Sequence, residues 1–127
     1  MKKRSKGERE AEFTRAMIKM EKEYLGRGPD EARTLFINDM IIVRLRGILT
    51  QAEIKLAESA KGRELIKETR RRLFESARDY LENMVRQIAE CELVSLHTDV
   101  STKTGERVIV LVVDCDFESR FQVTPHH

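Results

Sequence analysis

Between residues 8 and 25 the apolar side chains fall at Phe13, Met17, Met20 and Tyr24, spaced by four, three and four. That spacing lines one face of a helix. Gly26 and Gly28 end it and Pro29 forbids its return. TLFINDMIIVRLRG follows, rich in β-branched and aromatic residues, which predicts strands. Asn38-Asp39 separates its two apolar runs, so it reads as a hairpin with a tight turn or as one strand with a bulge. Thr50-Gln-Ala-Glu53 has the form of a capping box and predicts a short helix to about Lys61, with Gly62 as its stop or a kink. Over 63–90, Ile66, Leu73, Ala77, Tyr80, Met84 and Ile88 form one stripe, widened on one side by Phe74, Leu81 and Val85. That predicts one long amphipathic helix. ELVSLHTDV and ERVIVLVVD then predict a second hairpin around STKTG. Val108–Val113 is apolar at both parities, as in a central strand or one covered on both faces.

The order helix, β-hairpin, short helix, long helix, β-hairpin predicts an α+β fold. Its sheet is four-stranded and mainly antiparallel, with helices packed on one face. The chain divides into a basic arm at 1–7, expected to be disordered, a single domain at 8–116 and a tail at 117–127. The tail shows no pattern, and His126 and His127 are assigned no role.

Composition narrows the function. Of 127 residues 36% are charged, yet the net charge is only +2, which suits a surface laced with ion pairs better than a nucleic-acid polycation. Asn and Gln are scarce beside these charges, a thermophile-like signature. The basic N-terminus is followed by no apolar segment, and no apolar run approaches a membrane span. The expected setting is the cytoplasm, with Cys91 and Cys115 as reduced thiols.

The candidate chemistry is sparse. GRGPDEART offers glycines with Arg27 and Arg33, but it follows a helix and precedes a strand, the reverse of a phosphate loop, and lacks the GK[ST] ending. A nest of amides binding some anion is the functional reading; a helix stop and turn is the plain one. Arg44 and Arg46 share a strand face with Met40 and Ile42, which suits a subunit contact, an anion site or a charged edge. Arg70 lies on the apolar stripe of the long helix, where a guanidinium needs a carboxylate; Asp39, Asp99 and Asp114 are the candidates. Arg71 and Arg72 point away from it, near Glu68 and Glu75. His97 shares a face with Leu93, Ser95 and Asp99, and a histidine beside an aspartate can serve as an oriented base. No nucleophile is poised beside it, no second histidine accompanies it in the fold, and the cysteines lack ligand spacing. Neither metal nor cofactor is implied.

Gly26-Arg27-Gly28-Pro29, Asp39-Met40, Val43-Arg44-Leu45-Arg46-Gly47, Leu49-Thr50, Gly62-Arg63 and the TDVSTKTGER hairpin, in that order and spacing, resemble the bacterial MpsC-like family over about residues 10–114. The family is named for a sodium-translocating, membrane-potential-generating system whose larger members are tied to inorganic carbon uptake. The resemblance implies an accessory role and carries over no catalytic residue.

The expected function is a non-enzymatic accessory or regulatory protein working through protein contact, as a homodimer, with a partner that is itself membrane-associated. The dimer contact is expected from the first helix, the far sheet face, or both. The alternative is an RNA-binding domain, supported by the basic arm, Arg44 and Arg46. The near-neutral charge and the lack of aromatic residues on the last two strands weigh against it.

Overall fold

The computed structural model describes residues 4–121. Residues 1–3 of the basic arm and 122–127 of the tail, with His126 and His127, lie outside the described residues.

Helix α1 runs Lys6–Leu25. It starts earlier than its apolar spacing suggests because Ser5 caps it. Ser5 Oγ accepts from the Glu8 amide at 3.1 Å, and Glu8 Oε1 accepts from the Ser5 amide at 3.2 Å. Gly26, at φ 79°, closes it in the left-handed region. Strands β1 (Glu31–Ile37) and β2 (Met40–Arg46) form the first hairpin, with Asn38-Asp39 as a two-residue turn and Asn38 at φ 52°.

Helix α2 (Gln51–Leu56) begins at the predicted capping box. Thr50 Oγ1 accepts from the Glu53 amide at 3.1 Å, and Glu53 Oε1 accepts from the Thr50 amide at 3.0 Å. Thr50→Ala is expected to cost about 1 kcal/mol in urea unfolding; an unchanged midpoint would reject the cap. The helix ends at Leu56 rather than near Lys61, because Ser59 caps α3 (Ala60–Ser76) through the Gly62 amide at 3.0 Å. Gly62 is therefore neither stop nor kink. It sits in the first turn of α3, where any Cβ would collide with the Leu56 carbonyl oxygen.

The predicted long helix is divided. After α3 the axis breaks at Ala77, continues as α4 (Arg78–Met84) and finishes in a π-helical turn, Val85–Ala89. The break and the wider turn rotate the buried stripe toward Phe74, Leu81 and Val85, leaving Leu73 38% exposed.

Strands β3 (Leu93–Ser101) and β4 (Glu106–Val113) complete an antiparallel sheet of order β1-β2-β4-β3. β4 is central, but only one of its faces is covered: Arg107, Ile109, Leu111 and Val113 are buried, whereas Val108 is 38% exposed. A bulge between Leu93 and Ser95 turns Leu93 into register with Val113, away from the face of His97. The core lies between the sheet and the layer of α1, α3 and α4. Phe13, Met17 and Met20 of α1 are wholly buried against it, and Tyr24 meets Tyr80 edge-on at 5.7 Å. The first helix is thus consumed by the core, and no apolar stripe of it remains for a second molecule.

Two features at the end of the chain depart from expectation. The two thiols are not free: Cys91 and Cys115 form a disulfide. Each lies two residues outside the Leu93–Val113 pair, so the antiparallel ladder itself brings them together. Phe117, taken for the start of a patternless tail, opens helix α5 (Phe117–Arg120) and is fully buried, stacked on Phe36 at 4.4 Å.

Candidate functional site

The predicted arginines go to three different places. Arg27 closes the loop: its Nε donates to the Gly47 carbonyl at 3.2 Å and its Nη2 to Asp30 Oδ1 at 3.0 Å. Two of its five N–H donors are used on the chain's own turn. Arg33 stands on the outer face of β1 directly opposite Arg44 and does not join it.

Arg33, Arg44 and Arg46 do converge, with Glu31, on one shallow concavity of the sheet's open face. Arg44 Nε donates to Glu106 Oε2 at 2.6 Å; Arg46 lies 3.8 Å from the same oxygen and 3.5 Å from Glu31. Two arginines facing each other across an antiparallel pair repel. Glu106 relieves Arg44, while Arg33 makes no ion pair with another described residue. Of the two arginines read with the GRGP stretch, only Arg33 joins Arg44 and Arg46 at this charged end of the surface, and Arg27 does not.

The rest of that surface is aliphatic. The register sets Ile37, Met40, Val112 and Ser95 in one row across the sheet, then Leu35, Ile42, Val110 and His97, then Arg33, Arg44, Val108 and Asp99. Leu35 is 41% and Ile37 40% exposed, and Met40, Ile42, Val110 and Val112 are half-buried. A lone domain rarely shows a contiguous apolar patch of this extent without a use for it. His97 borders the patch, with Nε2 3.3 Å from Ser95 Oγ. Asp99 does not orient it: its Oδ1 accepts from the Val100 amide at 2.9 Å and lies 3.3 Å from Lys67 Nζ.

Arg70 is buried and does meet a carboxylate, though none of the three aspartates. Its Nε and Nη2 clamp Glu53 at 2.8 and 2.6 Å, and Nη2 also reaches the Ile48 carbonyl at 2.9 Å. Burial works to raise the Glu53 pKa, but Arg70 and the Thr50 cap outweigh it and hold the carboxyl below its usual range. The bridge locks α2 onto α3. Arg71 and Arg72 bond Glu68, and Arg71 also bonds Glu75. Arg78 and Arg86 both pair with Glu82, and Arg86 also pairs with Glu92, so this outer helix surface is a ladder of matched charges.

Sequence reading missed a second buried charge cluster. Arg107, only 1% exposed, lies over the Phe74 ring at 4.6 Å and donates to Thr98 Oγ1 at 3.0 Å. Its Nε is 3.7 Å from Glu21 Oε1, too far for a hydrogen bond, and Glu21 is also 1% exposed. Burial pushes the Arg107 pKa down to about 10 and the Glu21 pKa up, each opposed by its partner's charge. Arg9 is similarly buried, held by the Ile88 carbonyl at 3.0 Å and Glu90 at 2.6 Å. Period-two parity with Ile109, Leu111 and Val113 was the signal that pointed Arg107 inward. These groups lie in the core and brace the fold.

A family model described as "Na+-translocating membrane potential-generating system (MpsC)" matches residues 5–115. Among curated proteins, the chain is 42% identical over 120 residues to "Uncharacterized protein YbcI" of Bacillus subtilis (strain 168), covering 94% of this chain and 97% of that one. It is 30% identical over 105 residues to "Uncharacterized protein YrhF" of the same strain, covering 81% and 85%. No solved structure matches the chain.

Proposed function

The chain belongs to the MpsC family, and from that premise we propose that it is a non-enzymatic accessory or regulatory protein that works by protein contact through the open face of its sheet. In this reading it is a homodimer serving a membrane-associated, sodium-translocating assembly of the kind the family's description names. No helix among the described residues is long and apolar enough to cross a membrane, so that role would be exercised from beside the bilayer.

One observation carries the proposal: the covered sheet face is filled by the chain's own helices, while the opposite face keeps two largely aliphatic rows half-exposed beside a charged one. Four strands about 4.8 Å apart, paired over a common stretch of about six residues, give a footprint of roughly 20 by 20 Å. With side-chain relief that is about 600 Å² per copy, or roughly 1,200 Å² in all, the lower bound of stable interfaces. A two-fold dimer is the commonest way to cover such a face. Its centre carries aliphatic side chains and arginines, where an RNA-binding sheet would carry rings for base stacking, so protein contact is the better reading.

Light scattering after gel filtration at low micromolar concentration is the test. The expected mass is twice 14.8 kDa. Ile42→Asp, which puts a carboxylate at the centre of the patch, should give a monomer with a melt within a few degrees of the parent. A wild-type mass of one chain would overturn the dimer.

A further inference from the structure

At the far end of the chain a guanidinium stands against the disulfide. We infer that the Cys91–Cys115 bond is redox-active: a dithiol reductant opens it by attacking Cys115, and Cys91 leaves as a thiolate held by Arg120.

Arg120 belongs to α5. Its Nη1 lies 3.3 Å from Cys91 Sγ and also donates to the Ala89 carbonyl. It forms no ion pair with another described residue; Glu90, an acid that feels its charge, is bound instead by Arg9 at 2.6 Å. A disulfide sulfur is neutral and a weak acceptor, so the oxidised state leaves the guanidinium without a matching charge. A thiolate at Cys91 supplies that match, and a neighbouring arginine is the surrounding that favours a thiolate. The end of the π-helical turn works the other way: Cys91 Sγ is 3.2 Å from the Ala89 carbonyl oxygen, at the negative end of a helix. Because Arg120 donates to that same carbonyl, it offsets this as well.

The two sulfurs differ in access and in charge. Cys91 is 5% exposed, whereas Cys115 is half-buried between the exposed Asp114 and Asp116. Attack at Cys115 is therefore the open route. It also puts the leaving charge on the sulfur beside the cation, not on the one between two carboxylates. One thiolate of the reductant bonds to Cys115 Sγ, the Cys91–Cys115 bond breaks, and its electron pair stays on Cys91 Sγ. The reductant's second thiolate then attacks the reductant's own sulfur in this mixed disulfide, closes a disulfide within the reductant and releases Cys115. Of the two protons the dithiol gives up, one goes to Cys115 and one to solvent. The reductant loses two electrons and the protein gains them. The fold outlasts the opening, because α5 stays anchored: the Phe117 ring is fully buried, its amide donates to the Asn38 carbonyl, and Glu118 Oε1 accepts from the Asn38 amide at 3.1 Å. The bond and the thiol pair are thus two states of one fold.

The experiment uses the oxidised full chain with dithiothreitol, an uncharged dithiol, at neutral pH and without denaturant. Free thiols are followed over time by maleimide labelling. The bond should open within minutes while the circular dichroism keeps its native form. Arg120→Gln should slow the opening about threefold, and Arg120→Lys, which keeps the charge, should restore much of the rate. A short pulse of the monothiol β-mercaptoethanol, quenched in acid, should leave its adduct on Cys115, as read by peptide mass. Should Arg120→Gln not fold, the position of that adduct in the wild type decides. Opening no faster than global unfolding would overturn the assignment and mark a bond shielded by the fold. Equal rates for the wild type and Arg120→Gln, or an adduct on Cys91, would overturn it too.

Discussion

Arg107→Ala will lower the unfolding free energy by about 3–5 kcal/mol at neutral pH, as expected when one partner of a buried ion pair is removed. Arg107 and Glu21 are each 1% exposed, so water cannot replace the lost charge at Glu21. The variant also loses the Arg107 contact with the Phe74 ring and the bond to Thr98. Replacing both charges, as in Glu21→Leu with Arg107→Leu, should recover most of the loss, because two desolvation penalties vanish with the pair. The deficit will depend on pH. Burial already holds the Glu21 pKa above its usual range, against the pull of Arg107 and Arg70. The native state therefore keeps that proton more tightly than the unfolded chain, and the Glu21 contribution to stability falls as pH rises through the raised pKa. Without Arg107 the pKa rises further, so the deficit should be smaller at about pH 5 than at about pH 8. Urea unfolding of the three proteins at both pH values is the measurement. A loss of less than about 1 kcal/mol for the single variant would show that the pair is not truly desolvated.

Phe117→Ala should cost about 3–4 kcal/mol, the range for truncating a fully buried phenylalanine. Its ring lies between Phe36 of β1, at 4.4 Å, and Phe121, at 6.2 Å. Its amide donates to the Asn38 carbonyl at 2.7 Å, so the residue also pins the β1–β2 turn. Asp116 Oδ1 accepts from the Glu118 amide at 3.1 Å and fixes the bend that delivers the ring. Replacement by leucine should cost distinctly less, because most of the volume is kept. A thermal melt separates the cases: equal and small shifts for both variants would mean that the ring only covers the surface.

Legibility in the sequence follows the range of the interactions. Both hairpins, the Asn38-Asp39 turn and the Thr50 cap were readable because each is written within a few consecutive residues. The open face was readable too, since Met40, Ile42, Arg44 and Arg46 alternate at period two. The position of Arg70 on a buried stripe was visible, but its partner was not. Glu53 reaches it only because α2 folds back on α3 at Ser59 and Gly62. The break at Ala77 and the π-helical turn have no proline or glycine to announce them, so periodicity read straight through. A four-residue helix such as α5 is too short to display a period at all. The Cys91–Cys115 bond depends on a ladder whose register the bulge at Leu93 shifts, and spacing along the chain gives no hint of it.

The ladder of matched charges on α3 and α4 bears on how fast a partner is found. Arginines and glutamates paired at three- and four-residue spacing cancel each other within a few ångströms, so that side of the molecule casts little field beyond a Debye length of about 8 Å. The unpaired Arg33 and its neighbours at the end of the open face leave that corner the more positive. A negatively charged surface would therefore be drawn to that corner of the sheet and would find little to hold it on the helices. For an acidic surface, added salt would slow encounters at the sheet, whereas two copies of the chain bring like charges together and salt would ease their approach.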